Sequence, residues 1–350
     1  MSTAKSTARV VGTALASFAL VGCGGTSGSG GSNVLPIVVS AGPAGPQNAY
    51  VNGLFGSVTV CVPGSRSQCQ TIDGILIDTG SSGLRILSSV LSLSLASQTN
   101  SSGEVHDCTQ FGDGSFVWGP VVSADVTIAG EQASAVPIQI IADPGSTAFA
   151  QPPSACDSGG GTNAGTLQQL GAKGLLGLSF FREDCGHQCE VDTSPGVYYA
   201  CTSSGCSPTT EPLADQLPNP VWRFGGDNNG VVVALPAIPS AGATSVNGTL
   251  TFGIGTQSNN GLGRAGILAV NDNGDVTTSF AGQSYKSGFD TGSNALFFLT
   301  AASSGIPACN DDDQFYCPTA TQTLSASILG RELANSWRFT AAKGSWPPSK

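Results

Sequence analysis

Gly74-Ile75-Leu76-Ile77-Asp78-Thr79-Gly80-Ser81-Ser82-Gly83-Leu84 and Gly288-Phe289-Asp290-Thr291-Gly292-Ser293-Asn294-Ala295-Leu296-Phe297-Phe298 carry one tetrapeptide, Asp-Thr-Gly-Ser, twice, 212 positions apart. Each copy follows an apolar or glycine-containing run that reads as a strand. A strand ending in Asp-Thr-Gly places a carboxylate at the tip of a rigid element, and the glycine lets the backbone turn sharply with no Cβ in the way. The Thr and Ser add hydroxyls, one able to bond to an opposite loop and one able to hold an outer carboxylate oxygen. Two copies with matched flanks predict two lobes that face each other. Where such lobes bring Asp78 and Asp290 within hydrogen-bonding distance, like charges that close do not both ionise, and the pair shares a proton. One carboxyl is then a base toward water and the other an acid toward a carbonyl oxygen, an attack on an amide that uses no metal and no nucleophilic side chain.

The bulk numbers fit two lobes. The chain has 350 residues, 40% apolar and only 10% charged, enough to build real cores. Glycine at 48, with many Val, Ile, Thr and Ser and no long apolar run at helical spacing, predicts an all-β fold of short strands and tight turns. A net charge of −10 with only 13 Lys and Arg excludes a nucleic-acid partner, because phosphate binding needs clustered cations.

The N-terminus reads as an export signal. Lys5 and Arg9 precede an apolar run, Val10 to Val21, too short to span a bilayer and of the right length for a signal peptide. Leu20-Val21-Gly22-Cys23 resembles a bacterial lipobox, which implies cleavage after residue 22 and lipid on Cys23. Residues 23–45 then form a Gly/Ser-rich tether whose run from Gly24 to Ser32 reaches roughly 15–20 Å, and folded structure is expected from about Leu35. The expected location is the periplasmic or cell-surface face of a bacterial membrane, with the lipid as the membrane contact.

Cysteine usage agrees with export. Ten cysteines remain besides Cys23, an even number that predicts five disulfides in an oxidising compartment. Cys61 and Cys69 flank a turn signal, Cys309 and Cys317 flank an acidic loop, and Cys108 is left to Cys156. The cluster Cys185, Cys189, Cys201 and Cys206 allows three pairings. A zinc site around Cys185, His187 and Cys189 is the competing reading, disfavoured by irregular ligand spacing, so no metal is expected.

With these motifs in order, the chain resembles the pepsin-like aspartic peptidases, whose shared-proton aspartate pair follows the same logic. Phe111-Gly112-Asp113-Gly114-Ser115, followed by Trp118-Gly119 and Asp125-Val126, resembles the flap hairpin and its following strand. Gly174-Leu175-Leu176-Gly177-Leu178 resembles the element that supports the first aspartate. Leu213 to Leu217 resembles the helix before the lobe crossover, and Gly248 to Gly253 the strand entering the second lobe. The likeness covers about residues 50 to 300. It implies a bilobal double barrel with a central cleft and a flap, an N-terminal lobe over 46–190 and a C-terminal lobe over 191–350, with 331–350 an atypical tail. It further implies Asp78 and Asp290 as the catalytic pair, Thr79 and Thr291 as braces across the lobe junction, Gly80 and Gly292 at the turns, and Ser81 and Ser293 as orienting hydroxyls. Phe111, Gly112, Asp113, Gly114 and Arg85 would contact an extended polypeptide bound in the cleft, with no cofactor.

This sequence departs from the family pattern at Phe111, where a tyrosine is usual, and at Arg85, where the tryptophan that bonds to it is usual. Ser82-Gly83 replaces a usual asparagine. After Asp290 only 60 residues remain, with Ile328-Leu329-Gly330 the one candidate for a second supporting strand, which predicts a truncated second lobe. The alternative function is therefore a catalytically inactive surface lipoprotein whose cleft binds a peptide, a glycan or a protein partner. A Ser-His-Asp triad is disfavoured, since only His106 and His187 exist and the second lies among cysteines.

Overall fold

The run Ile75-Leu76-Ile77 has no polar alternation, which is what a strand covered on both faces requires. In the computed structural model of the chain it lies in such a strand. The structure describes residues 33–45, 50–157, 160–239, 241–294, 296–309, 315–329 and, as backbone, 334–341. Cys23, the signal peptide and most of the tether lie outside the described residues, as does Gly330. The described residues fall in one compact unit.

The N-terminal half is built around a closed ring of six strands. These are β2 (Gly53–Cys61), β3 (Cys69–Asp78), β4 (Ser82–Leu87), β7 (Phe116–Ile128), β8 (Glu131–Ile141) and β9 (Gly174–Leu178). Around the ring the order is β2, β3, β9, β4, β8, β7 and back to β2. The pairs β3–β9 and β4–β8 are parallel, and the others antiparallel. Ile75 and Ile77 pack inward with Val58, Val60, Val126 and Ile138, whereas Leu76 faces a separate layer with Leu87, Val117, Ile141 and Leu175. Each such side chain contributes about 1.5–3 kcal/mol on leaving water, so the strand ending at Asp78 is held from both sides. Along the second half of β7, Ala124, Val126 and Ile128 are buried while Ser123, Asp125 and Thr127 are less so, the period of two of a half-covered strand.

Further strands extend this sheet. β1 (Val34–Ser40) begins where folded structure was expected and pairs with β2 and with β13 (Val246–Phe252), which also pairs with β12 (Val231–Ala234). β6 (Gly103–Gln110) pairs with β7, with the short β5 (Thr99–Asn100) and with β10 (Tyr198–Thr202), and β10 pairs with β11 (Gly205–Pro208). A separate four-stranded sheet has the order β15 (Gln283–Ser287), β14 (Val276–Phe280), β16 (Gln322–Leu329), β17 (Ala334–Ala341). The all-β expectation holds. The expected division at 190/191 does not coincide with a sheet boundary, because β10 to β13 join the first sheet and the second begins at Val276. Leu213 to Leu217, expected as a helix, is a turn within a non-helical segment.

Five disulfides close the described chain: Cys61–Cys69, Cys108–Cys156, Cys185–Cys189, Cys201–Cys206 and Cys309–Cys317. The four-cysteine cluster thus resolves into two local bridges, which occupy the thiols that the zinc reading needed. Five bridges mark a protein of an oxidising, exported environment. No helix among the described residues is long and apolar enough to cross a membrane.

Candidate active site

Asp78 is the last residue of β3, and β9 lies between β3 and β4, so the loop Thr79–Ser81 crosses over the end of β9. The crossing is close. A Cβ on Gly177 would lie 2.6 Å from the Ser82 carbonyl carbon and 2.7 Å from its Cα, so only glycine fits there. The expected supporting role of Gly174-Leu175-Leu176-Gly177-Leu178 is met by this strand. The Ser82 hydroxyl ties the same loop to Ser179 Oγ at 2.6 Å and to the Phe181 carbonyl at 2.9 Å.

The two tetrapeptides adopt matching hydrogen bonds. Asp78 accepts from Gly80 N–H at 2.8 Å and from the Ser81 hydroxyl at 2.5 Å, while Asp290 accepts from Gly292 N–H at 2.7 Å and from the Ser293 hydroxyl at 2.5 Å. Between the loops, Thr79 N–H donates to Thr291 Oγ1 at 3.1 Å and Thr291 N–H donates to Thr79 Oγ1 at 3.0 Å. Each threonine hydroxyl then reaches past its partner: Thr79 to the Phe289 carbonyl at 2.9 Å, Thr291 to the Ile77 carbonyl at 2.6 Å. Four bonds therefore lock the two turns together about a pseudo-twofold relationship.

This lock sets the carboxyls against each other. A Cβ on Gly292 would lie 2.6 Å from Asp78 Oδ1 and 3.1 Å from Asp290 Oδ1, and one on Gly80 would lie 2.7 Å from Asp290 Cγ. Both turns need glycine because the opposite carboxylate occupies the space. The electrostatics are asymmetric. Asp78 is buried and Asp290 is exposed. Burial first, and then the neighbouring Asp290, raise the Asp78 pKa to about 6 against the opposing hydrogen bonds from Ser81 and Gly80.

The segment Phe111–Ser115 is the turn between β6 and β7, as expected of a flap. Phe111 N–H donates to the Ser115 carbonyl at 2.8 Å, and Asp113 Oδ1 accepts from the Ser115 N–H and hydroxyl at 2.9 and 2.7 Å. Gly112 and Gly114 have open space around them, and the Phe111 ring packs on the Leu76 layer.

Arg85 is not at the cleft surface. It is 1% exposed, and its guanidinium donates to the Ser82 carbonyl at 2.5 Å, to Thr109 Oγ1 at 3.1 Å and to Asp184 Oδ2 at 3.1 Å, with Asp107 at 3.8 Å. A cation at this depth persists only with such partners. Burial, and then the nearby Asp107, hold the Asp184 carboxyl well above its usual range, with Arg85 and the Tyr198 hydroxyl opposing. Arg85 is thus an internal tie behind the Asp78 loop, and the expectation that it contacts substrate is corrected.

Among the described residues, no strand pairs beside the Asp290 loop. Ile328 and Leu329 lie in β16, which pairs with Thr278 and Thr277 of β14 on the side away from β15, so the expected second supporting strand does not reach Asp290. Sequence reasoning missed what holds this loop instead. The Tyr50 hydroxyl donates to the Gly292 carbonyl, and Asn52 Nδ2 approaches the Asn294 carbonyl at 3.4 Å. No motif marks Tyr50, and its partner lies 242 residues away. A separate hollow of about 550 Å3, lined by Arg182, Glu183, Trp222 and Arg223 among others, includes neither aspartate loop.

A family model described as "Protein of unknown function (DUF3443)" matches residues 29–344. No curated protein matches the sequence. Among solved structures, the crystal structure of aspartic proteinase from Irpex lacteus is similar at 15% identity and a TM-score of 0.47, over 87% of this chain and 77% of that one.

Proposed function

The chain belongs to the DUF3443 family, and we propose that it is a pepsin-like aspartic endopeptidase, exported and held at a bacterial membrane by lipid on Cys23, that hydrolyses polypeptides with water activated between Asp78 and Asp290. The observation that carries this reading is the reciprocal Thr79–Thr291 lock, which sets two buried-to-exposed carboxyls against one another with matched hydroxyl and amide donors. A turn-forming role alone accounts for one Asp-Thr-Gly but gives no reason for two carboxylates aimed at each other, an arrangement that costs energy unless one is protonated.

Asp78, whose pKa stands at about 6, carries the proton of the resting pair, and Asp290 is the base. Asp290 takes a proton from a water as the water oxygen bonds to the scissile carbonyl carbon, and Asp78 gives its proton to the carbonyl oxygen. The tetrahedral diol then returns a hydroxyl proton to Asp78 while Asp290 protonates the amide nitrogen, the C–N bond breaks, and the dyad regains its starting state. The substrate lies extended beneath the flap turn of Phe111, Gly112, Asp113 and Gly114.

Incubating the purified protein with an unfolded, reduced protein substrate between pH 4 and pH 8 tests the reading. Fragments by mass spectrometry at pH 4–5 that fade above pH 6 are expected. A folded protein that yields no fragments at any pH overturns it in favour of a binding role, toward which the exposed Leu296 and Phe297, 71% and 76% accessible beside the Asp290 loop, already lean.

A further inference from the structure

We infer that Tyr50 is a positioning residue for Asp290, its hydroxyl holding the Asp290 loop in register with the Asp78 loop where no strand of the four-stranded sheet does so. The asymmetry between the two aspartates is the starting point. Asp78 follows a strand flanked by β2 on one side and β9 on the other. Asp290 follows β15, an edge strand, by three residues and is itself exposed, with Thr291 to Asn294 after it half-buried. Of the side chains that hold it, Thr79 fixes the backbone at Phe289 and Thr291, on either side of Asp290. Tyr50 fixes the far side, at the Gly292 carbonyl, one peptide beyond the N–H that binds the Asp290 carboxylate.

The tyrosine is itself built into place. Its ring lies between two glycines: a Cβ on Gly53 would be 2.8 Å from its Cδ1, and one on Gly171 would be 2.8 Å from its Cδ2. It meets the Phe55 ring edge-on at 6.1 Å, and its own N–H donates to the Ala41 carbonyl at 2.8 Å. A side chain clamped by packing delivers its hydroxyl with little freedom left to lose, which is what makes a single hydrogen bond effective at fixing a loop. The hydroxyl also stands in a negative field. Burial, then Asp78, Asp290 and Asp113, push its ionisation upward, so it stays a neutral donor wherever the dyad works. The contact joins residue 50 to residue 292, so it links the barrel to the one catalytic loop the barrel does not contain.

The kinetic arm of the test rests on the proposed hydrolase reading; the exchange arm does not. Tyr50→Phe keeps the ring and its packing and deletes the hydroxyl alone, with Tyr285→Phe on β15 as control. Hydrogen–deuterium exchange of the 289–294 segment is expected to rise by about fivefold in Tyr50→Phe, the effect of one hydrogen bond of about 1 kcal/mol, with the barrel strands unchanged. In turnover, kcat should fall by about tenfold with KM little altered, and the upper limb of the pH–rate profile should move to lower pH as Asp290 retreats from Asp78. Tyr285→Phe should change neither. Unchanged exchange at 289–294 in Tyr50→Phe overturns the inference. If exchange rises while wild type itself cleaves nothing, Tyr50 still positions the loop and it is the hydrolase reading that fails.

Discussion

Thr79 and Thr291 each donate a backbone N–H to the other's hydroxyl, at 3.1 and 3.0 Å, although 212 residues separate them. Because each threonine sits one residue after an aspartate, the exchange fixes where both carboxyls point. The space between them is so filled that both neighbouring glycines lack room for a methyl group.

Gly292→Ala puts that methyl 2.6 Å from Asp78 Oδ1, so the carboxyls must separate. The expected outcome is loss of at least two orders of magnitude in kcat/KM, about 2.7 kcal/mol at 1.36 kcal/mol per decade. Melting should shift only slightly, because the loop edge has solvent beside it. Parallel kinetics and thermal unfolding of the variant check this.

Arg85→Met removes the one cation from the buried group of Asp107 and Asp184. Breaking a buried pair from one side costs about 3–5 kcal/mol because an uncompensated charge remains. Denaturant unfolding should show a loss of that size near neutral pH and a smaller one in acid, where Asp184, held well above its usual range, takes up its proton.

Asp78→Asn should change how stability depends on pH. The wild-type carboxyl has a folded pKa of about 6, above its unfolded value, so the stability it contributes is present below about pH 4 and is lost as pH rises through 6. The variant lacks this loss. From pH 4 to pH 8 it should gain on wild type by on the order of 3 kcal/mol, about two pKa units at 1.36 kcal/mol each. Asp184, Glu211 and the buried His106 also titrate, but are common to both proteins and cancel in the difference. Chemical denaturation at several pH values measures the gap.

Cys23→Ala should release the protein from membranes. Acyl chains contribute about 0.8 kcal/mol per buried CH2, and the described residues contain no helix able to cross a bilayer. Fractionation of cells expressing each form, with intact mass of the membrane-bound product, checks this.

Much of this site was legible in the sequence because its parts are local. The turn glycines, hydroxyls and carboxylates of Asp-Thr-Gly-Ser are consecutive, Gly177 sits in a short apolar strand, and three disulfides span turns, an acidic loop or the last unmatched pair. What was hidden depends on distant contacts. Arg85 read as cleft-facing, yet β4 is buried on both faces and the guanidinium finds Asp184, 99 residues on. Tyr50 carries no motif and is defined by a carbonyl that only the fold brings near. Ile328 matched a supporting strand by composition, but strand pairing is fixed by register, and its register is with Thr278. The sheets do not divide at 190/191 for the same reason, since β10 pairs back to β6.

The central claim is that Asp78 and Asp290 share a proton, and an NMR pH titration of the Asp78 carboxyl in wild type and in Asp290→Asn tests it most directly. The account predicts a midpoint near 6 in wild type that drops in the variant as the repulsion from Asp290, and the hydrogen bond that the Asp78 carboxyl donates to its carboxylate, disappear. A midpoint that is the same in both proteins contradicts it.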